Sequence, residues 1–453
     1  MSSAAPMRVL VALALPMVLA RATQAVVTFA DAIQVKHLGA SSLAATATGG
    51  LNFLGLVILP MGTVFIVQSF VSQLVGRGEH AEAPRYAWYA LAIAAIAAVF
   101  TVAVIPLIEP ALGLTGYSPG VQTDMSRYIE IRILSVGAIV GVEALGNWYG
   151  GLGNTWMQMI AGIITMTVNI VLNWLLIDGN LGAPALGVAG AAWASMIASW
   201  CGFAFLALAF WRRWGGAPRT AKGHGRLSRG ELWRVVKFGL PNGFNWFLEF
   251  AAFQLFVNGV LASLGDETVA ALNVVLAVNS ISFMPAFGLA SAGAILAGQA
   301  IGRDDKDAVW PQVKVTLAVT AAWMGLIGGL YLISPSWVLS LFEEPGKSGD
   351  LVAIGTGMLA ISAAWQLFDA VCLTFAETLR AAGDTAWTMA ARILLAWAVF
   401  TPAAFIVVNV LDGGAIGAMI CLVAYIALLS VALALRFRSG AWRKIELIEP
   451  ALV

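Results

Sequence analysis

The chain has 453 residues, 60% of them hydrophobic and only 11% charged, with a net charge of +1. Soluble domains carry about 25% charged residues, so a chain this long and this apolar lacks the polar surface to cover a soluble fold. Period-two alternation is absent, which argues against a β-barrel.

Twelve apolar segments follow one another, each long enough to cross a hydrocarbon core of about 30 Å as a helix. They run over 9–35, 42–75, 86–111, 128–150, 157–178, 186–211, 238–263, 269–301, 313–342, 353–376, 387–411 and 413–436. The two longest must tilt or continue as helix beyond the bilayer.

The polar residues left inside these spans are the informative ones. Span 1 carries Arg21, Gln24, Thr28 and Asp31, a stripe over three helical turns, and span 4 carries Glu143. Span 5 repeats Thr165, Asn169 and Asn173 at i, i+4 and i+8. Around FNWFLEFAAFQLF in span 7, Asn242, Asn245 and Glu249 fall at i, i+3 and i+7, on one helix face. Ser362, Gln366 and Asp369, at i, i+4 and i+7, likewise share one face of span 10. Glu377 can pair with Arg380 at i+3 and reads as structural, while Arg392 in span 11 can balance one carboxylate, which one being unreadable.

An ionisable group at bilayer depth costs about 2.5–3.5 kcal/mol on insertion scales, so such stripes face a lobe interior or a wet cavity. Amides and hydroxyls alone are explained as hydrogen-bonding glue between helices. The carboxylates Asp31, Glu249 and Asp369 ask for more. Arg21 is no direct partner for Asp31, because ten residues of helix separate them by about 15 Å. Desolvated carboxylates take up a proton readily, and with amide and hydroxyl oxygens they can hold a hard monovalent cation. Placed in both halves, they also attract a cationic substrate, to which Phe244, Trp246, Phe247, Phe253 and Trp365 can add cation–π contact.

The chain is two copies of one unit. Gln73, Gly76 and Arg77 recur as Gln299, Gly302 and Arg303, an offset of 226, and Gly39, Ala44, Ala45 and Gly62 recur as Gly265, Ala270, Ala271 and Gly288. Pro16 pairs with Pro241 and Pro60 with Pro285, one residue out of register, and GLGNTW echoes AAGDTAW. The expected fold is an all-α polytopic membrane protein, with twelve transmembrane helices in two six-helix lobes related by an internal repeat, a common transporter plan. The lobes are 1–211 and 238–436, joined by a basic linker loop at 212–237 and followed by a tail at 437–453. Because span 1 repeats as span 7, the amino-terminal apolar run reads as structure and not as a cleaved leader.

Most of the 25 Lys and Arg lie on the side of the termini. Arg212, Arg213, Arg219, Lys222, Arg226, Arg229, Arg234 and Lys237 crowd the central loop; the opposite loops hold Lys36 and Lys347, with Arg127 and Arg132 at the mouth of span 4. The positive-inside rule then makes both termini cytoplasmic, and topology with anionic lipid accounts for the basic loop without nucleic acid. Cys201, Cys372 and Cys421 sit in apolar spans and read as small hydrophobes.

No nucleotide, hydrolase or metal motif is present. GKS at 346–348 resembles the end of a phosphate loop, but Leu341 stands where glycine is required, and His37, His80 and His224 lack metal-ligand spacing. Transport would therefore be secondary, with no cofactor, and an intramembrane enzyme or a scaffold explains the embedded acids poorly.

LPNGFNWFLEF, WQLFDAVCLTFAETLRAAGDT and VNIVLNWLLIDGNLGAPALGVAGAAWAS together resemble the multidrug and toxic compound extrusion (MATE) transporters, closest to the bacterial NorM-like branch. The resemblance implies two lobes around a V-shaped cleft in the bacterial inner membrane. It also implies multidrug efflux of small organic cations by antiport against H+ or Na+, with a monomer containing the pathway. Glu249, Asp369 and Asp31 match the family's acidic positions, and Asn169, Asn173 and Ser195 its amino-lobe cation-site positions. Asn245, Gln24 and Gln366 would support them. Sodium would then sit at Asp31, Asn169, Asn173 and Ser195, or at Glu249 and Asp369. Asn173, Ser195 and Trp365 stand where some relatives carry aspartate, threonine and tyrosine. The alternative is a flippase for a lipid-linked substrate, as in the wider superfamily.

Overall fold

Backbone N–H and C=O groups inside a bilayer must be satisfied within the chain, so apolar runs of this length close into helices. The computed structural model describes residues 4–114, 116–218, 227–340 and 350–448, and every regular element among them is helical. Arg219, Lys222, His224 and Arg226 of the basic loop, and Leu341, the 346–348 tripeptide and Lys347, lie outside the described residues.

Among the described residues eleven helices are long and apolar enough to cross a membrane. The remaining expected span, span 4 at 128–150, is a broken pair, Pro119–Ile133 and Val136–Gly151. Asp124, Arg127, Glu130 and Arg132 make its first half polar. The break falls where Ser135 Oγ donates to the Arg132 carbonyl at 2.6 Å, a side chain competing with the helical ladder. The helices that position the site are span 1 (Ala4–Lys36), span 2 (Ala40–Phe65 and Val67–Arg77), span 5 (Trp156–Asp178), span 6 (Val188–Arg212) and span 7 (Arg229–Leu255). Spans 8 (Asp266–Gly302), 10 (Asp350–Ala381), 11 (Thr385–Asn409) and 12 (Gly414–Arg438) complete the set. Span 8 has 37 residues, about 55 Å of helix, and so extends well past the hydrocarbon core.

Packing divides the chain into two units, one of Met1–Val18 with Phe244–Val453 and one of Leu19–Gly243. These boundaries differ from the repeat-based lobes, because spans 1 and 7 are each cut two residues after their proline, Pro16 and Pro241.

Close helix contacts explain where the cuts fall. In the carboxyl unit Leu10, Ala14 and Met17 are buried with Ala292 and Ile295 of span 8. A Cβ at Gly288 would lie 2.9 Å from Val18 Cγ2 and 3.1 Å from its backbone nitrogen. In the amino unit Gly62 of span 2 faces Gly243 of span 7, where an added Cβ would lie 2.4 Å from the Leu59 carbonyl oxygen and from Thr63 Oγ1. Asn242 Nδ2 donates to the Gly62 carbonyl at 2.7 Å and fixes that crossing. Gly62 and Gly288 are repeat mates, so the internal repeat reappears as the same glycine-mediated contact in each unit. Small residues at such crossings let backbones approach where no hydrophobic force drives helices together.

The residues after span 12 pack back onto the carboxyl unit. Trp442, Leu447 and Ile448 are buried, the Trp442 ring stacks on Phe437 at 5.3 Å, and Arg443 pairs with Asp307 at 2.8 Å. Gly243→Ala is expected to destabilise the detergent-solubilised protein by about 1–3 kcal/mol through overpacking. Gly50→Ala, where an added Cβ meets nothing within 4 Å, should be neutral or slightly stabilising; thermal unfolding of the two variants checks this.

Candidate functional site

Glu249, in span 7 of the carboxyl unit, is held by two other helices. Arg392 of span 11 donates through Nη1 to its Oε2, and Tyr425 of span 12 donates through its hydroxyl to Oε1 at 3.3 Å. The Arg392 side chain is 14% exposed and that of Glu249 37%, so the pair sits at the edge of the packed interior. Arg392 Nη2 also reaches Cys372 Sγ of span 10 at 3.9 Å. One turn earlier on span 10 stands Asp369, half-buried and within electrostatic range of both Glu249 and Arg392. Among the described residues the carboxylate of Asp369 has no hydrogen-bond donor and no ion-pair partner.

The helices around this cluster are irregular. Span 7 ends in a π-helical turn at Phe256–Val260, and Leu394–Phe400 of span 11 is π-helical directly after Arg392. The rings of Phe256 and Phe400 meet at 4.9 Å, and Phe400 stacks on Tyr425 at 5.2 Å. Such turns interrupt the regular ladder and recur at functional sites.

Other residues of the expected stripes are committed to structure. Gln366 donates to Asn279 Oδ1 at 2.5 Å and accepts from Ser282 Oγ at 2.7 Å, while Ser362 accepts from Asn279 at 3.1 Å. This network joins spans 8 and 10 through both ends of the Gln366 amide. Asn242 is spent on Gly62, as above, whereas Asn245 keeps a buried Oδ1 with no donor among the described residues. Trp365 is buried in the hydrophobic core of the carboxyl unit, and the partly buried Phe253 packs against that core. Trp246 meets Phe287 edge-on at 6.3 Å.

In the amino unit Asp31 accepts from Asn173 Nδ2 at 2.5 Å, and the same group lies 3.4 Å from Asn169 Oδ1. Asn169 in turn donates to Ser195 Oγ at 3.0 Å. Spans 1, 5 and 6 thus bring together Asp31, Asn169, Asn173 and Ser195, an oxygen-rich set with one carboxylate. Asn173 Oδ1 and the nearby Gln34 Oε1 are buried acceptors with no donor among the described residues. Arg132 acts on Asp31 at longer range and lies over the Phe53 ring at 4.6 Å.

Arg21, higher on span 1, belongs to a separate cluster. It donates to Glu143 at 3.0 and 3.3 Å, and Asn147 donates to the same carboxylate at 3.1 Å. Gln24 lines a small cavity of about 20 Å³ beside this pair, with Gln158 and Gly162, room for a single water. Thr28 is exposed and bonds its own helix at the Gln24 carbonyl. The span 1 stripe therefore splits between two sites. Glu377 pairs with Arg380 at 2.5 Å. Among the described residues no three His, Cys, Asp or Glu converge on a common point.

Sequence reasoning did not single out Tyr425, Gln34 or Asn147. Tyr425 had one signal, a phenol hydroxyl alone in an apolar helix, which must find a partner when buried.

A single family model, MatE, matches the chain twice, over residues 16–175 and 246–406, one segment in each repeat. The chain is 27% identical over 401 residues to a probable multidrug resistance protein NorM of Chromobacterium violaceum, covering 86% of this chain and 83% of that one. It is 26% identical over 409 residues to the multidrug resistance protein PmpM of Pseudomonas aeruginosa, covering 88% and 84%. Its fold matches that of a MOP superfamily transporter from Pyrococcus furiosus with a TM-score of 0.88 at 21% identity, over 97% of both chains. With the family model covering well over half of the sequence, and both repeats at corresponding places, the chain belongs to the MatE family of multidrug and toxic compound extrusion transporters.

Proposed function

We propose that this transporter is a secondary antiporter that exports small organic cations in exchange for inward H+ or Na+, with Asp369 and Glu249 as the exchange site. The observation that carries the reading is Asp369, a carboxylate within a membrane span that no donor satisfies, beside a second carboxylate that one arginine already holds. A cation bound there gains charge-assisted contacts in a low-dielectric setting. An ion arriving from outside neutralises the same oxygens and releases it. Asp31, with Asn169, Asn173 and Ser195, is a second ion site, its sodium ligands being amide and hydroxyl oxygens. The protein works as a monomer in the bacterial inner membrane, with both termini cytoplasmic, a reading that the distribution of Lys and Arg supports.

A flippase for a lipid-linked substrate would need basic side chains open to phosphate. Arg21 and Arg392, the basic residues deepest in the spans, are both engaged by carboxylates, which favours a cationic substrate.

The test is efflux of a fluorescent organic cation from proteoliposomes under an inward sodium or proton gradient. One gradient is expected to drive dye out, and Asp369→Asn to lower the rate by more than about tenfold, a loss of at least 1.4 kcal/mol, with normal insertion. Glu249→Gln should also abolish export, because Arg392 is then free to neutralise Asp369. Undiminished efflux by the Asp369→Asn protein would overturn the assignment.

A further inference from the structure

The acids embedded in the spans are not equivalent. Glu143 is held by Arg21, Glu377 by Arg380 and Glu249 by Arg392, whereas Asp369 has no partner of its own among the described residues. The charged groups acting on Asp369 are Glu249 and Arg392, and the pair they form is bordered by the Tyr425 hydroxyl and the Cys372 thiol. The cluster therefore holds two carboxylates against one guanidinium. Arginine, unlike lysine, does not give up its proton in a protein, so its positive charge is constant and the site carries one net negative charge when both carboxylates are ionised and no ion is bound.

We infer that Arg392 is a specificity-determining residue: it fixes the empty site at one net negative charge and so selects singly charged over doubly charged organic cations. This rests on the export reading above and deepens it. A monocation leaves the site neutral. A dication leaves one positive charge uncompensated where solvent is largely excluded, an arrangement that low-dielectric surroundings penalise. Arg392 is also anchored on Glu249, so a substrate adds to the pair and engages Asp369 instead of displacing the guanidinium.

The charge rule is tested by binding of tetraphenylphosphonium, a monocation, and of a bis-quaternary ammonium of similar bulk, to the purified full-length protein by titration calorimetry. Wild type should favour the monocation by about tenfold or more, and Arg392→Gln, which leaves two negative charges, should shift the ratio at least about tenfold toward the dication. Glu249→Gln brings the count to zero and should lose monocation binding. The double variant Glu249→Gln with Arg392→Gln restores a count of minus one and should regain it. Arg392→Lys keeps the charge and should keep the wild-type ratio. Because the double variant carries both changes, its recovery cannot arise from a folding defect in either single one.

A ratio unmoved in Arg392→Gln, or a folded double variant as weak as Glu249→Gln, overturns the inference while leaving cation export standing. Wild-type protein that binds neither cation overturns the export reading, and this inference with it.

Discussion

The ion pair between Arg392 and Glu249 is the contact on which the rest of the carboxyl-unit site depends. Neither group belongs alone in a hydrocarbon environment, where either would cost several kcal/mol. Together, with the Tyr425 hydroxyl on the second oxygen, they form a tolerable neutral assembly drawn from three helices. That assembly leaves Asp369 as the unmatched charge among the described residues, which is what the proposed exchange rests on.

The repeat sets where such a site can form. Spans 1 and 7 both bend at a proline and are both cut, two residues later, between the packing units. Gln24 stands in the first repeat where Glu249 stands in the second, counted from those prolines. Each unit also contains an arginine–glutamate pair that joins two distant spans, but with exchanged roles: in the amino unit the arginine comes from span 1, and in the carboxyl unit the glutamate comes from span 7. The amino unit consequently has a satisfied pair at Arg21–Glu143 and carries its acid lower on the helix, at Asp31. Two copies of one scaffold have thus diverged into clusters of different charge, one with amides around a single carboxylate and one with two carboxylates of which an arginine holds one.

Much of the fold was legible in the sequence, because twelve long apolar runs allow little but helices and the paired glycines and prolines mark the repeat. Span 4 was less so: its polar first half and the Ser135 break disguise a helix pair as one shorter segment. The embedded acids stood out as lone charges in apolar runs. Their partners did not, since Arg392 lies 143 residues from Glu249 and nothing local links them. Helical spacing also grouped residues that packing separates. Gln366 shares a face with Asp369 but is consumed by Asn279 and Ser282, and Asn242 shares one with Glu249 but serves the crossing at Gly62. Periodicity identifies the face of a helix; which neighbour that face meets is decided by tertiary packing.

The central claim is that substrate and coupling ion compete for the same oxygens at Asp369 and Glu249. The most direct measurement is ion release on substrate binding: tetraphenylphosphonium added to purified protein in weakly buffered solution, with H+ and Na+ followed simultaneously. Competition at this site predicts release of about one ion per cation bound, as charge neutrality in a low-dielectric cavity requires, and its disappearance in Asp369→Asn. Stoichiometric cation binding with no ion released, or release unaffected by Asp369→Asn, would contradict the account.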